Sequence, residues 1–204
     1  MIDEAVHIDL LIHDSSAFFL RTPDLYEQII RINMLDRKAR KLCERLPSRA
    51  MSRFRKKCLI DEIVSTNGIE GVISPRKEIS DILFERHIRS KNRFYDISGR
   101  YDMLADNYYR LKTCKDIRNI YNELLYAEIE QEDPDNLPDG VLFRKHQVNV
   151  HSETDKILHR RLMPEEKIID YMQKSLDFLN NDSINIYFRI AVFHYLFGYI
   201  HPFY

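Results

Sequence analysis

Glycine is scarce, with 5 in 204 residues. That scarcity argues against a turn-rich sheet protein, and Leu, Ile, Glu, Lys and Arg recurring at three- and four-residue spacings argue for a mainly helical one. The three cysteines, Cys43, Cys58 and Cys114, are dispersed, odd in number and without C-x-x-C spacing. This excludes a disulfide framework and a zinc site and leads us to expect a reducing cytoplasm. Charge of either sign is not in excess: Lys plus Arg number 31 and Asp plus Glu 32, so no overall field draws the chain to nucleic acid or to an acidic membrane surface. Long apolar runs are missing as well. The most apolar stretch, Ile184 to Ile200, is interrupted by Asn185, Arg189 and His194 and is shorter than the roughly 20 apolar residues that a bilayer needs; it reads as a buried central helix. The opening MIDEAVHIDLLIHD has acids where a signal peptide has basic residues, so secretion is not expected.

What is present can fill a core. The hydrophobic content is 44%, with 12 Tyr and 11 Phe, enough for one ordinary domain or two small ones. Proline marks helix starts: Pro23, Pro75 and Pro164 each sit just inside an apolar-periodic segment, where the missing N–H costs nothing. Helices are expected from those points and over about Arg49 to Glu70, Tyr101 to Leu111, Ile117 to Glu130 and Ser183 to Ile200. Residues 133–164 differ. They open with Pro, Asp and Gly, and Val148 and Val150 then alternate with Asn149 and His151, which predicts a β-hairpin inserted in a helical protein. The helical pattern also breaks at RFYDISGR, residues 93–100, giving an expected division into residues 1–95 and 96–204. Local charge is uneven: residues 37–57 carry ten basic side chains, and residues 123–139 carry seven acids and no Lys or Arg. Two solvated helix faces account for both blocks.

Two short stretches could carry chemistry. His201 ends a long apolar helix and precedes Pro202, which disfavours helical geometry at the histidine. A side chain that titrates near neutrality is thereby fixed at the lip of the core, where it can serve as a general base or simply cap the helix. His194, seven residues earlier, lacks the i, i+4 partner or carboxylate that a metal pair requires, so no metal ligands are assigned. In VSTNGIEGVISPRKE, residues 64–78, Thr66 and Glu70 share a face if the segment is helical. The residues alone favour an inter-helix loop, because Asn67-Gly68 is a turn signal and Gly costs about 1 kcal/mol inside a helix.

Taken together, these pieces resemble a known family. IHPFY, residues 200–204, is similar to the start of the His-Pro-Phe-x-Asp/Glu-Gly-Asn-Gly/Lys-Arg motif of the Fic family. STNGIEG, residues 65–71, resembles the autoinhibitory Ser/Thr-x-x-x-Glu-Gly/Asn motif of the Fic class with an N-terminal inhibitory helix. Gly140, Arg144 and Val148 match the Gly-x-x-Arg-x-x-x-Val lead into that family's flap, and HYLFGYIHPF matches its central helix. The resemblance spans roughly residues 60–204. It implies an all-α, Fic-type helical bundle with one small inserted β-hairpin, an inhibitory helix near residues 60–71 in the N-terminal region, and a Fic core over residues 96–204 cut off at its active-site loop.

By the same resemblance, the implied activity is AMP transfer from ATP, with Mg²⁺, to a Ser, Thr or Tyr hydroxyl of a protein target. His201 would be the base, and Pro202 and Phe203 would shape the active-site loop. Glu70 would inhibit, braced by Thr66 and followed by Gly71, and the flap residues Gln147, Val148, Asn149, Val150 and His151 would add the target as a strand. In the family the Mg²⁺ ligand and the phosphate-binding residues follow Tyr204, so the 204 residues alone are expected to be catalytically silent. A chain cut there would leave Ile190, Phe193 and Phe197 exposed, and a homodimer is one way to cover them. Two other readings are a non-catalytic binding or regulatory remnant and, in a different class, a nucleic-acid binder using residues 37–57; neither nucleic acid nor membrane is an expected partner.

Overall fold

Period-two alternation opens the chain. Val6, Ile8, Leu10 and Ile12 share the inner face of β1 (Glu4–Ile12), which pairs antiparallel with β2 (Ser15–Arg21), Ile12 lying opposite Ser15. The intervening His13 and Asp14 both have positive φ, 48° and 62°, the backbone of a two-residue turn whose twist matches that of the strands it joins. This hairpin is an addition to the single hairpin that the sequence suggested. The computed structural model describes residues 4–69, 75–84, 111–151, 157–160 and 162–204. It is mainly helical, with a second, smaller antiparallel hairpin set between helices, β3 (Asn149–His151) and β4 (Ile157–Arg160).

The helices start where their sequences allow. Thr22 caps α1 (Pro23–Cys43), its Oγ1 accepting the Leu25 N–H at 3.3 Å. Next come α2 (Ser48–Ile69) and α3 (Arg76–Phe84), the latter just after Pro75. Thr113 and Asp116 form a reciprocal capping box at the head of α4 (Cys114–Tyr121). A π-helical stretch over Asn122–Tyr126 carries α4 into α5 (Ala127–Glu132). The last two helices are α6 (Glu165–Leu179) and α7 (Ile186–Ile200), the latter capped by Asn185 Oδ1 at 3.0 Å from the Tyr187 N–H. The helix expected over Tyr101–Leu111 lies outside the described residues apart from Leu111, which is not helical.

The chain divides into two compact units, one of Met1–Ile29 with Arg110–Tyr204 and the other of Ile30–Tyr109. The expected division at 95/96 falls among residues outside the described set. In the second unit, Ile60 and Ile63 of α2 pack on Ile79 of α3, and the Arg76 guanidinium donates to the Asp61 carboxylate. This packing holds α2 helical through Gly68, so the turn signal at Asn67-Gly68 is overridden. A Cβ at Gly68 would meet nothing within 4 Å, and about 1 kcal/mol of lost propensity is small against the burial of those isoleucines.

In the first unit, Ile168, Met172 and Leu176 of α6 are fully buried against Leu196 and Ile200 of α7. The N-terminal hairpin packs on the same core: Phe19 contacts Phe188 at 5.2 Å between ring centroids and meets Phe178 edge-on at 6.1 Å. The expectation that α7 is a buried central helix requires correction. Ile184, Phe188, Leu196 and Ile200 are buried, but Ile186, Ile190 and Tyr195 are exposed, because α6 and the hairpin cover one side only. Ile190, Phe193 and Phe197 line an open apolar cavity of about 440 Å³ with Ile117, Tyr121 and Phe203. No described helix is long and apolar enough to cross a membrane.

The β1–β2 turn holds an L residue with a side chain in a left-handed conformation at each central position, a conformation that glycine adopts without the Cβ penalty. Asp14→Gly is therefore expected to stabilise the protein by up to ~1 kcal/mol. A rise in thermal midpoint would show this, and a fall would mean that the aspartate side chain itself holds the turn.

Candidate active site

The site is assembled where α6 begins and α7 ends. Between α5 and β3 the chain runs through residues 139–148 with no regular hydrogen-bond ladder, so its backbone donors must find partners elsewhere. They do so without exception from Gly140 to His146. Glu165, buried in the first turn of α6, accepts the N–H groups of Val141, Leu142 and Phe143 at 3.0, 2.8 and 3.0 Å. Gly140 donates to the Phe143 carbonyl, Arg144 to that of Pro202, Lys145 to Asp139 and His146 to the Tyr204 hydroxyl. Gly140 has to be glycine here, because a Cβ would collide with the Phe143 oxygen and the Glu165 carboxyl. Burial pushes the Glu165 carboxyl up, but the three amide donors outweigh it and hold the group below its ordinary 4.5.

Arg144 is fully buried and works in the opposite sense, donating to backbone carbonyls. Its Nε reaches His201 O at 2.7 Å, Nη1 reaches His146 O at 2.7 Å, and Nη2 reaches Leu162 O at 3.1 Å and Ile200 O at 3.2 Å. His201 is the C-cap of α7. It adopts a left-handed conformation (φ 49°, ψ 71°), with its N–H donating to Phe197 O, and the side chain is half-buried. Pro202 is buried. Phe203 stacks on Tyr121 of α4 at 4.1 Å and 18° and meets Phe143 edge-on at 5.6 Å. Tyr204 closes the loop by donating to Asp139 at 2.7 Å. Burial raises the Asp139 carboxyl, but the Lys145 amide and the Tyr204 hydroxyl lower it further, so that it lies below the ordinary range. Burial and that same hydrogen bond push the Tyr204 phenol up.

Of the residues singled out in the sequence, His201, Pro202 and Phe203 thus lie on one loop, locked to the segment that leads into the smaller hairpin. Gln147 is exposed and its side-chain amide donates to Val148 O at 3.2 Å; Asn149, Val150 and His151 form β3, pairing with Arg160, His159 and Ile157. Thr66 lies on α2 in the second unit, and Glu70 and Gly71 fall outside the described residues. His194 is exposed on α7, and no group of three or more His, Cys, Asp or Glu gathers among the described residues. Glu165, Asp139 and Tyr204 carry no local sequence signal, and Arg144 stands out in sequence only by its spacing from Gly140 and Val148. The collision of a Gly140 Cβ with Glu165 and the reach of Arg144 to Ile200 and His201 depend on contacts distant in sequence, which spacing cannot reveal.

The Fic/DOC family model matches residues 111–204. No curated protein matches the chain. Among solved structures, the chain is similar to the crystal structure of a Fic family protein from Desulfovibrio desulfuricans G20, at a TM-score of 0.65 and 18% identity over 91% of this chain and 54% of that one. The chain therefore spans about half the length of that protein, and the likeness is one of fold.

Glu165→Gln keeps one acceptor but loses the charge and turns an amide NH₂ toward backbone donors. We expect it to cost about 1–3 kcal/mol at neutral pH. Because the folded group titrates below 4.5, its contribution is complete above that pH and is lost as the pH falls through the depressed value. Urea unfolding followed against pH should show this acid loss in the native sequence and a smaller one in the variant; equal acid slopes would mean that the carboxylate is not the source.

Proposed function

We propose that the chain is a Fic-domain protein, on the match of the Fic/DOC family model to residues 111–204, and that it serves AMP transfer from ATP to a hydroxyl side chain of a protein. The observation that carries this reading is His201 on a buried backbone frame, at the end of a rigid helix and tied to the stems of a hairpin. In the proposed step the target hydroxyl oxygen bonds to the α-phosphorus of ATP. The bond from that phosphorus to the oxygen bridging it to the β-phosphate breaks, pyrophosphate leaves, and the hydroxyl proton passes to the imidazole of His201. ATP is the donor substrate, and Mg²⁺ bound with it would neutralise phosphate charge. The unpaired edge of β3 or β4 would take the target as an added strand, so main-chain hydrogen bonds would hold it and side-chain pockets would choose it.

The finer parts of the proposal concern regulation. Glu70, with Thr66 and Gly71, would keep the nucleotide from a productive pose. Native protein given radiolabelled ATP is expected to label a protein hydroxyl, and His201→Ala to lower that labelling by at least about a hundredfold. Labelling that survives His201→Ala would remove the histidine from the chemistry. Glu70→Gly in the native protein is expected to raise self-labelling, whereas an unchanged rate would leave Glu70 as a helix-end residue.

A further inference from the structure

A helix that ends inside a protein leaves its last carbonyls without intrahelical donors. At the end of α7, two of these carbonyls, those of Ile200 and His201, are taken by one side chain, the buried guanidinium of Arg144. The same guanidinium also binds the carbonyl of His146, just before the smaller hairpin, and that of Leu162, just after it. The two stems of the flap and the backbone of the histidine therefore converge on a single planar group whose donors have a fixed fork geometry. The backbone N–H of Arg144 adds a further tie, to the carbonyl of Pro202 at 3.0 Å.

We infer that Arg144 is a positioning residue that sets the spacing between the flap and His201, so that flap and active-site loop move as one unit. A hairpin that holds a target strand is useful only if the strand's hydroxyl arrives within hydrogen-bond reach of the base, and displacement by about an ångström costs up to about a hundredfold in rate. Surface contacts between two mobile segments do not hold such a tolerance. Four carbonyls on one rigid fork do, because a shift of either flap stem or of the loop breaks charge-assisted hydrogen bonds at the others. Lysine would keep the charge and lose the fork. The catalytic consequence rests on the adenylyl-transfer reading above; the mechanical coupling does not.

The test therefore has two arms. In the first, hydrogen exchange is followed in native protein under rising denaturant. The amides of Arg144, His146 and His201 are expected to open together, and Arg144→Lys to speed their exchange in concert by about tenfold or more. Separate opening of the flap stem and the active-site loop in the native sequence overturns the inference, and this measurement needs no variant to fold. In the second arm, self-labelling is measured with radiolabelled ATP. Arg144→Lys is expected to lower the maximal rate by about a hundredfold while leaving the apparent KM for ATP unchanged. A variant with native rate and native exchange overturns the inference. Native protein that labels nothing overturns the adenylyl-transfer reading, and the exchange arm then decides the coupling alone.

Discussion

A single buried carboxylate, that of Glu165, organises the segment on which the site depends. Three consecutive backbone amides point at it, and an irregular stretch of chain can sit inside a protein only when its amides have such a partner. Once Val141, Leu142 and Phe143 are fixed, the neighbouring positions follow. Phe143 lies fully buried under Phe203, and Arg144 is delivered to the end of α7. Arg118 of α4 closes the arrangement from the other side, its Nη1 donating to Leu142 O at 3.0 Å. The charges divide the backbone between them: the anion collects N–H groups and the two cations collect carbonyls.

Helix topology explains why these groups meet. α6 and α7 are consecutive and pack on one another, so the first turn of one lies near the last turn of the other. Glu165 is in that first turn, and Ile200 and His201 are in that last turn. The smaller hairpin is inserted immediately before α6, which places both of its stems at the same end. The left-handed backbone at His201 then turns the chain off the helix axis, and Pro202 prevents the helix from resuming. The candidate site thus sits at the loop end of a helix pair whose facing sides supply the core.

Local signals carried much of this architecture. Proline at the head of a periodic segment marked α1, α3 and α6, and the Val148/Val150 alternation marked the smaller hairpin. The histidine on the loop after α7 was legible from His201-Pro202 alone. The N-terminal hairpin was missed although Val6, Ile8, Leu10 and Ile12 alternate plainly, because its turn is His13-Asp14 and not the glycine-bearing pair that usually announces a two-residue turn. The exposure of Ile190 on α7 was expected only from the family resemblance, whereas the apolar run by itself reads as a buried helix. An apolar sequence reports a preference for burial and says nothing of how many sides the rest of the chain can cover. The frame around His201 was hidden because Arg144 and Glu165 look like ordinary helix-edge charges until tertiary contact brings backbone groups to them.

The continuous engagement of the amides from Gly140 to His146 has a consequence for how the segment can vary over time. Val141 is 82% exposed, yet its N–H is bound to a buried carboxylate, so its side chain is idle and only its backbone is held. The Lys145 N–H is likewise held, by the exposed Asp139, although the charge of its side chain also draws down the Glu165 carboxyl. Such positions can drift through nearly any residue type while the shape of the loop persists, but proline, which lacks the donor, is barred from them. Between Gly140 and Arg144, which are fixed by space and by reach, Val141 is thus held by main chain alone and its side chain is open to change, whereas Phe143 is fixed by its burial under Phe203.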